Sequence, residues 1–299
     1  MQFIYQYPDT HGTEVDMLDA GPVDQVAKAV EAAGFGGFAF TEHPAPGARW
    51  LSAGGHQTLD PFVALGFAAA ATERIRLLTY LCVLPYRNPM LTAKAAATVD
   101  KLSGGRFILG VGTGYLKGEF SALGVDLEER NILFDEALDV LPLHWSGEPF
   151  SYTGRHFSAK EAIGRPRPVQ QPIPIWIGGN SRLTRRRVAE RAQGWMPLVL
   201  PPAMIPTVRT SALGDMTEVA TWIAEMREAA GGRTLDVTFP YMDDDLRADP
   251  GKDVNRHREA FAQLADIGVT WVMVPGATET ESDTMAFLDS FGSHYLQET

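Results

Sequence analysis

An α/β fold of eight repeated strand and helix units is predicted for this chain. Eight short segments rich in β-branched and aromatic residues recur along the 299 residues, and a segment with helical periodicity follows each of them. Such alternation is typical of a parallel sheet. Eight is also the number of units in a closed (β/α)8 barrel, although periodicity by itself does not distinguish a closed sheet from an open one. The predicted strands are residues 3–6, 37–40, 75–84, 107–110, 173–177, 194–198, 235–239 and 270–274.

Residues that start and stop helices support the helices between these strands. Pro22 precedes a helix predicted over residues 23–33, and Gly34 ends it. An Asn-Pro pair and a glycine bound a second helix, over residues 90–102, in the same way. The apolar run at 61–71 is much shorter than the ~20 residues that cross a membrane, so it is interpreted as a buried helix.

Two long segments interrupt the regular pattern. A helix is predicted near residues 131–145, and residues 146–174 then form an insertion before the fifth strand. Such an insertion is either a lid over a site or a surface elaboration. The loop 44–59 follows the second strand and would cover the same end of the sheet. Because no repeat and no linker divides the chain, residues 1–299 are interpreted as one domain.

Composition argues against several classes of function. The net charge of −11, from 37 acidic and 26 basic residues, opposes binding to the phosphate backbone of nucleic acid. The single cysteine, Cys82, excludes an intrachain disulfide and a cysteine metal cluster. Neither a His-x-His pair nor a His-Glu-x-x-His helix occurs, so no metal is expected. The N-terminus has no export signal, and a soluble, cytoplasmic protein without a membrane partner is expected.

Two glycine-rich stretches at strand ends suggest an anion site. One is Gly-Val-Gly-Thr-Gly at 110–114, and the other is Gly-Gly-Asn-Ser at 178–181. Small residues where a helix begins allow backbone N–H groups to approach a phosphate. The first stretch is not a dinucleotide fingerprint, because Tyr115 occupies the place of its last glycine. We therefore expect a phosphate-bearing cofactor that is not a nicotinamide in a Rossmann unit.

Arginines crowd the start of the helix after the second stretch. Positive charge at a helix N-terminus opposes the helix dipole, which suggests an anionic partner. A solvated basic face is the alternative. The four residues are Arg182, Arg185, Arg186 and Arg187.

Four motifs follow one another at or near the predicted strand ends: Thr41-Glu42-His43, Val83-Leu84-Pro85, Leu102-Ser103-Gly104-Gly105-Arg106 and Ile175-Trp176-Ile177-Gly178-Gly179-Asn180. In this order they resemble the bacterial luciferase-like flavin and deazaflavin oxidoreductases. The resemblance covers most of residues 35–198. It implies that the sheet closes into a TIM barrel and that the chemistry takes place at the carboxyl ends of the strands.

The resemblance also implies how the cofactor ring would be held. His43 would lie beside the ring and position or move a proton, whereas the plain alternative is a histidine that fixes a loop. Glu42 would orient His43 or anchor the backbone. In the resembling enzymes a non-prolyl cis peptide in the third strand supports the ring, and alignment places it at Tyr80 and Leu81. Without the resemblance, this strand is an ordinary buried part of the barrel wall.

At the phosphate end, Thr113 stands where luciferase has an arginine that grips the flavin phosphate. Deazaflavin-dependent sugar phosphate dehydrogenases have threonine there too, so this residue favours a deazaflavin, whose acidic tail would meet some of the arginines. An ordinary capped helix is the alternative for the second glycine stretch. The other implied phosphate-binding residues are Gly178, Gly179, Asn180, Ser181 and Thr184. Candidate residues of the substrate pocket are Trp50, His56 and Tyr115.

The resemblance implies an oxidoreductase that transfers hydride between coenzyme F420, a deazaflavin, and a small organic substrate. The first alternative is an FMN-dependent monooxygenase, which would take reduced flavin from a separate reductase and activate O2. The second is a barrel that binds flavin without catalysis, as some members of the superfamily do. A homodimer is also expected, because such barrels commonly pair and the apolar helices at 61–71 and 90–99 offer contact surfaces.

Overall fold

The computed structural model describes residues 1–11, 16–200, 205–208, 210–276 and 280–297. Within these ranges the strands, in chain order, are β1 (Gln2–Gln6), β2 (Thr10–His11), β3 (Gly37–Phe40), β4 (His56–Gln57), β5 (Arg76–Thr79), β6 (Cys82–Val83), β7 (Phe107–Gly112), β8 (Pro149–Thr153), β9 (Ser158–Ile163), β10 (Ile175–Gly178), β11 (Gly194–Met196), β12 (Asp236–Pro240) and β13 (Trp271–Pro275).

The helices of the same ranges are α1 (Val23–Ala33), α2 (Ala48–Leu51), α3 (Pro61–Ala71), α4 (Pro89–Leu102), α5 (Lys117–Ala122), α6 (Arg130–Trp145), α7 (Arg182–Arg191), α8 (Ile205–Val208), α9 (Met216–Ala229), α10 (Asp244–Ala248), α11 (Val254–Asp266) and α12 (Glu281–Phe291). Short 3-10 turns lie at Leu84–Tyr86 and Leu127–Glu129, and a π-helical turn lies at Gly292–Leu296. None of the helices in the described part of the chain is long and apolar enough to cross a membrane.

Eight parallel strands of the described chain close into a barrel, in the order β1, β3, β5, β7, β10, β11, β12 and β13. The ring closes where β13 pairs with β1, with Val274 opposite Tyr5. The eight longer helices that follow these strands surround them, so the predicted (β/α)8 barrel is confirmed. Its carboxyl ends meet on one face, where barrels of this class carry their active sites.

The helices begin where the sequence supplies a cap. Asp60 accepts hydrogen bonds from the backbone N–H groups of Phe62 and Val63, and Pro61 occupies the first turn of α3. Asn88 caps α4 in the same manner, and Ser181 caps α7. Each cap satisfies N–H groups that have no partner inside the helix.

Side chains of alternate strand residues fill two separate cores. One residue from each of seven strands points into the barrel, and the strand neighbours of these residues pack outward against the helices in a larger apolar layer. The barrel interior is therefore solid, and free space is left at its end. The seven inward residues are Ile4, Ala39, Leu78, Ile108, Trp176, Met196 and Met273.

The strand predicted over residues 75–84 is divided in the structure, so the prediction of one continuous strand was wrong. β5 ends at Thr79, the Tyr80–Leu81 peptide is cis, and β6 resumes beside β7 at Cys82. The cis peptide thus lies at the position that the resemblance implied. Cys82 is fully buried, and burial raises the pKa of its thiol well above the usual value.

The insertion at 146–174 contains an antiparallel hairpin, β8 and β9. Its turn is held against α6, because the carboxylate of Glu136 accepts hydrogen bonds from the backbone N–H groups of Arg155, His156 and Phe157. The hairpin therefore packs on the outside of α6.

Candidate active site at the carboxyl ends of the strands

A cavity of about 410 Å³ opens at the carboxyl end of the barrel. This volume lies in the range of cavities that hold cofactors and other small ligands. The segments that follow β3, β5, β7, β10 and β11 all contribute to its wall, and no described lining residue comes from the insertion at 146–174. The predicted residues that line it are Glu42, His43, Tyr80, Leu81, Thr113, Tyr115, Gly178, Gly179, Ser181 and Thr184.

Leu81 forms part of the cavity wall because two glycines make room for its side chain. A Cβ atom built on Gly112 would lie 2.6 Å from Leu81 Cδ1, and one built on Gly178 would lie 2.4 Å from Leu81 Cδ2. Both distances are shorter than a van der Waals contact, so side chains at these positions would displace Leu81. The glycines at the ends of β7 and β10 thus leave space for a flat apolar wall.

Glu42 is buried and is itself one of the residues that line the cavity. Its carboxylate accepts a hydrogen bond from the backbone N–H of Val83 at 2.6 Å and from Arg87 Nε at 2.8 Å, and Arg87 Nη2 also contacts it. Arg87 in turn pairs with Asp60. These contacts fix the backbone that follows the cis peptide. They correspond to the anchoring role considered for Glu42, whose carboxylate is bound to Val83 and Arg87 rather than to the His43 ring.

His43 lies at the edge of the cavity with only 10% of its side chain exposed. Its backbone N–H donates to Thr58 Oγ1 at 2.9 Å. The imidazole ring lies 4.8 Å from the Trp50 ring and 4.7 Å from the His56 ring, centroid to centroid. The loop 44–59 thus lies over His43, as expected. Trp50 and His56 contact His43 without being described as part of the cavity wall.

Glu119 is a site residue that sequence reasoning missed. Its side chain is 1% exposed, and one carboxylate oxygen lies 3.3 Å from His43 Nδ1. Tyr86 Oη donates to the same oxygen at 2.9 Å, and the backbone N–H of Ala45 donates to the other oxygen at 3.3 Å. Glu119 lies in the six-residue helix α5, and no motif in the sequence distinguishes it from the acidic residues that follow.

Two tyrosines near Glu119 stay neutral over the physiological pH range. Burial and the Glu119 carboxylate both raise the pKa of Tyr86, so its phenol remains a hydrogen-bond donor. Burial, followed by the charge of Glu119, raises the pKa of Tyr115 to about 12. Tyr115 lines the cavity, and its ring centroid lies 6.4 Å from that of His43.

Another part of the cavity wall is formed by the start of α7 and the turn before it. Gly179 has φ of +119°, a conformation that glycine adopts without strain, and it turns the chain from β10 toward the helix. Ser181 accepts a hydrogen bond from the backbone N–H of Thr184, and the two hydroxyl oxygens lie 2.9 Å apart. Hydroxyls beside a helix N-terminus form a favourable site for a phosphate.

Two further polar residues, Arg130 and Asn131, line the cavity from the first turn of α6. They were not identified from the sequence, where they appear only as the start of a helix. Arg130 donates to the carbonyl oxygen of Leu127 through one of its terminal nitrogens. It brings a positive charge to the cavity wall, where it would interact favourably with an anionic ligand.

Asn180 does not belong to the cavity wall as described. Its side-chain nitrogen donates to the carbonyl oxygens of Leu198 and Ser211, and its side-chain oxygen accepts from the backbone N–H of Leu198. Its own backbone N–H donates to Thr210 Oγ1. Both ends of the amide therefore form hydrogen bonds to loops of the barrel. The resemblance implied instead that Asn180 would bind phosphate.

Two of the four arginines at the start of α7, Arg185 and Arg187, form contacts within the protein, and Arg187 also lines the cavity. Arg187 is buried and forms two hydrogen bonds of 2.7 Å to the carboxylate of Asp135. Arg185 donates to the carbonyl oxygen of Asn180 and lies over the Trp222 ring. Acceptors within the protein thus compensate the charges of Arg185 and Arg187, whereas the side chain of Arg186 is 65% exposed.

Known proteins resemble this chain in sequence and in fold. A family model described as luciferase-like monooxygenase matches residues 1–212. An uncharacterized protein of Mycobacterium tuberculosis is 29% identical over 234 residues, covering 78% of this chain and 75% of that protein. An FMNH2-dependent dimethylsulfone monooxygenase of Pseudomonas putida is 29% identical over 204 residues, covering 65% of this chain and 55% of that enzyme.

A solved structure shares the fold over nearly its whole length. The structure of an F420-dependent secondary alcohol dehydrogenase, in complex with an F420–acetone adduct, superposes with a TM-score of 0.74 at 17% identity. The match covers 98% of this chain and 97% of that one.

Proposed function

The chain belongs to the luciferase-like monooxygenase family, and from that premise we propose that it transfers hydride between coenzyme F420 and a small organic substrate. The observation that supports this most strongly is the composition of one cavity. His43 and Tyr115 lie at one part of its wall, Leu81 forms an apolar part, and the hydroxyls of Ser181 and Thr184 form another. A cofactor with a flat ring and a phosphate-bearing tail fits such an arrangement.

The residues that would hold this cofactor come from separate strand ends. Leu81 would lie against the ring, since Gly112 and Gly178 leave space for its side chain beside the cavity. Ser181 and Thr184 would bind the phosphate together with Thr113, and Gly179 would allow close approach of the backbone. Arg130 would add a positive charge near an anionic tail.

A bound deazaflavin supplies the group that accepts or donates hydride. His43 would then position the substrate oxygen and exchange a proton with it, because its ring is in the cavity wall and an imidazole nitrogen can accept or donate a proton. Tyr115, whose pKa of about 12 keeps it protonated, would donate a hydrogen bond to the same substrate. Trp50 and His56 would hold the His43 ring in place.

The choice of F420 over FMN depends on Thr113. This residue lines the cavity at the position where the resemblance to luciferase places a phosphate-binding arginine. The FMNH2-dependent relative favours the alternative, an FMN monooxygenase supplied by a separate flavin reductase. A barrel that binds flavin without turnover is the remaining alternative, and the polar arrangement around His43 argues against it.

Titration of the purified protein with F420 and with FMN tests this function. Binding is followed by tryptophan fluorescence and by the absorbance of the ring. We expect selective binding of F420, and Ser181→Ala should weaken it because a phosphate ligand is lost. Thr221→Val, on the exposed side of α9, removes a comparable hydroxyl away from the cavity and should leave binding unchanged. Selective FMN binding would favour the monooxygenase, and binding of neither would contradict both.

We also propose that two copies of the chain pair through α3 and α4. Val63 and Phe67 on α3 are each 63% exposed, and Leu91 on the adjacent helix α4 is 70% exposed. Exposed apolar side chains that lie together on neighbouring helices are typical of protein interfaces. A symmetric pair would bury the same face on both copies.

A further inference from the structure

We propose that Glu119 is a positioning residue that holds His43 with its proton on Nδ1, which leaves Nε2 as the nitrogen that accepts a proton from the substrate. The kinetic part of this inference rests on the function proposed above. The tautomer itself is a property of the protein alone.

The contacts of Glu119 require hydrogen-bond donors around it. A carboxylate that is 1% exposed has lost almost all contact with water, and such a group is stable only when protein donors replace the water. Tyr86 Oη and the backbone N–H of Ala45 supply two donors. His43 Nδ1, at 3.3 Å, is placed to be the third. An ionised carboxylate only accepts, so this contact places a hydrogen on Nδ1.

A neutral imidazole carries one hydrogen, and its second nitrogen is then an acceptor. With Nδ1–H directed at Glu119, Nε2 keeps its lone pair. The rings of Trp50, His56 and Tyr115 also surround His43, and a carboxylate oxygen of Asp9 lies 3.5 Å from His56 Nε2. Among these described groups, Glu119 lies within hydrogen-bond distance of a His43 ring nitrogen, at 3.3 Å from Nδ1. Ring packing fixes where the imidazole lies, and Glu119 selects the nitrogen that carries the hydrogen.

Glu42, the carboxylate next to His43 in the sequence, does not take this role. It is occupied by Val83 and Arg87. The chain thus uses one buried carboxylate for the backbone and another, 76 residues from His43 in sequence, for the imidazole.

For an alcohol substrate, the atoms and electrons of the oxidation balance as follows. The hydroxyl proton moves to Nε2 of His43, the hydrogen on the adjacent carbon leaves with its bonding electrons as hydride, and a carbonyl group forms. A bound deazaflavin would supply the oxidant that accepts this hydride. Glu119 touches none of the reacting atoms, and it favours the reaction by stabilising the imidazolium and its orientation.

Nitrogen-15 NMR of the histidine rings in the protein without cofactor tests the tautomer directly. The signals of His43 are identified by their loss in His43→Asn, and spectra are recorded at a pH where the ring is neutral. We expect the Nδ1–H tautomer in the wild type. In Glu119→Gln, whose amide can donate as well as accept, we expect a large fraction of Nε2–H. A wild-type ring in the Nε2–H form, or an unchanged tautomer in Glu119→Gln, would overturn the proposal.

A matched control separates this effect from general destabilisation. Glu136 is also a buried glutamate that accepts backbone hydrogen bonds, but its donors belong to the turn of the β8–β9 hairpin. Glu136→Gln should lower stability without changing the His43 tautomer. If Glu119→Gln does not fold, the wild-type spectrum still shows which ring nitrogen of His43 carries the hydrogen.

Kinetics then tests the consequence for turnover. Glu119→Gln should lower kcat by about 10- to 100-fold with a smaller change in KM, because outer partners orient a functional histidine more than they bind substrate. Glu119→Asp should recover part of the loss, since it restores the charge. A fall in KM and kcat together, without rescue by Asp, would contradict the positioning role. If the protein turns over no substrate with F420, the proposed function fails while the NMR result stands.

Discussion

Leu81 and Gly178 lie so close that a Cβ atom on Gly178 would come within 2.4 Å of Leu81 Cδ2. Gly178 ends strand β10, and Leu81 follows β5, so this contact joins two strand ends that are not neighbours in the barrel. The apolar part of the cavity wall therefore depends on the absence of a side chain on another strand.

Gly178→Ala tests this dependence. The added methyl group should displace Leu81 into the cavity, lower stability by about 1–3 kcal/mol as overpacking does, and weaken cofactor binding. Gly66→Ala in α3 is the control, because a Cβ there meets nothing within 4 Å and should leave binding unchanged. Urea unfolding and the cofactor titration measure both effects. Unchanged cofactor affinity in Gly178→Ala would mean that Leu81 does not contact the ring.

His43→Ala should abolish most turnover and leave cofactor binding largely intact. Loss of a general acid or base lowers kcat by about 100- to 10,000-fold, whereas Leu81 and Ser181 would still hold the cofactor. His294→Ala, at the C-terminal end of the described chain, removes an imidazole far from the cavity and serves as the control. Steady-state kinetics and cofactor titration separate the two properties. Wild-type kcat in His43→Ala would remove this residue from the catalytic set.

Arg187→Met should destabilise the fold, whereas Arg186→Met should have almost no effect. Arg187 is buried against Phe134 and bound to Asp135, and loss of a hydrogen-bonded charged group costs about 1–3 kcal/mol. The side chain of Arg186 is 65% exposed, and its contact with Glu190 is 4.0 Å long. Thermal and urea unfolding compare the two variants. Equal stabilities would indicate that Arg187 serves a ligand rather than the fold.

Phe67→Lys should convert the proposed dimer into a monomer. The charge would lie in the centre of the face formed by Val63, Phe67 and Leu91, where it would have to be desolvated on pairing. Met242→Lys changes an exposed apolar side chain that follows β12 on another side of the barrel, and it should leave assembly unchanged. Sedimentation analysis of both variants and the wild type measures whether each is a monomer or a dimer. A wild-type monomer at all concentrations would contradict the dimer.

Asp243→Asn should lower the free energy of unfolding at neutral pH. This effect of the substitution should disappear at acidic pH. Hydrogen bonds from Arg256 lower the pKa of Asp243 to about 2, below its usual value of about 3.9. Because the folded-state pKa is the lower one, Asp243 stabilises the protein above pH ~4, and this contribution disappears as the pH falls toward 2. Asn retains an acceptor that caps α10.

The measurement is urea unfolding between pH 3 and pH 7. The difference between wild type and Asp243→Asn should be constant from pH 5 to pH 7 and should shrink below pH 4. Asp244→Asn, at a fully exposed side chain, controls for the change in net charge. A difference that grows on acidification would show that Asp243 and Arg256 do not form the stabilising pair.

The strands and helices of the barrel were predictable because they depend on local patterns. The Asn88-Pro89 pair marks a helix start, and α4 begins there; the apolar run at 61–71 likewise forms helix α3. The broken strand at Tyr80 was not visible in an apolar run, because hydrophobic residues suit a continuous strand equally well. Its location was implied only by the resemblance.

Side-chain partners were much harder to predict. Glu119 reaches His43 across 76 residues of sequence, and no spacing rule connects two residues on different barrel loops. Arg187 was considered for an anionic partner because of its charge, and the resemblance implied Asn180 as a phosphate ligand; in the fold Arg187 is bound to Asp135 and the Asn180 amide to loop carbonyls. Residue type indicates which bonds a side chain can make, and only the fold determines which partner is nearest.

The burial of Cys82 gives the protein a practical property for spectroscopy. It is the only cysteine in the sequence, and its protected thiol, with a raised pKa, will react slowly with maleimides at neutral pH. A cysteine introduced at exposed Glu161 on the hairpin would then be the one rapidly labelled site. A dye attached there would lie outside the cavity wall and would leave the candidate cofactor site free.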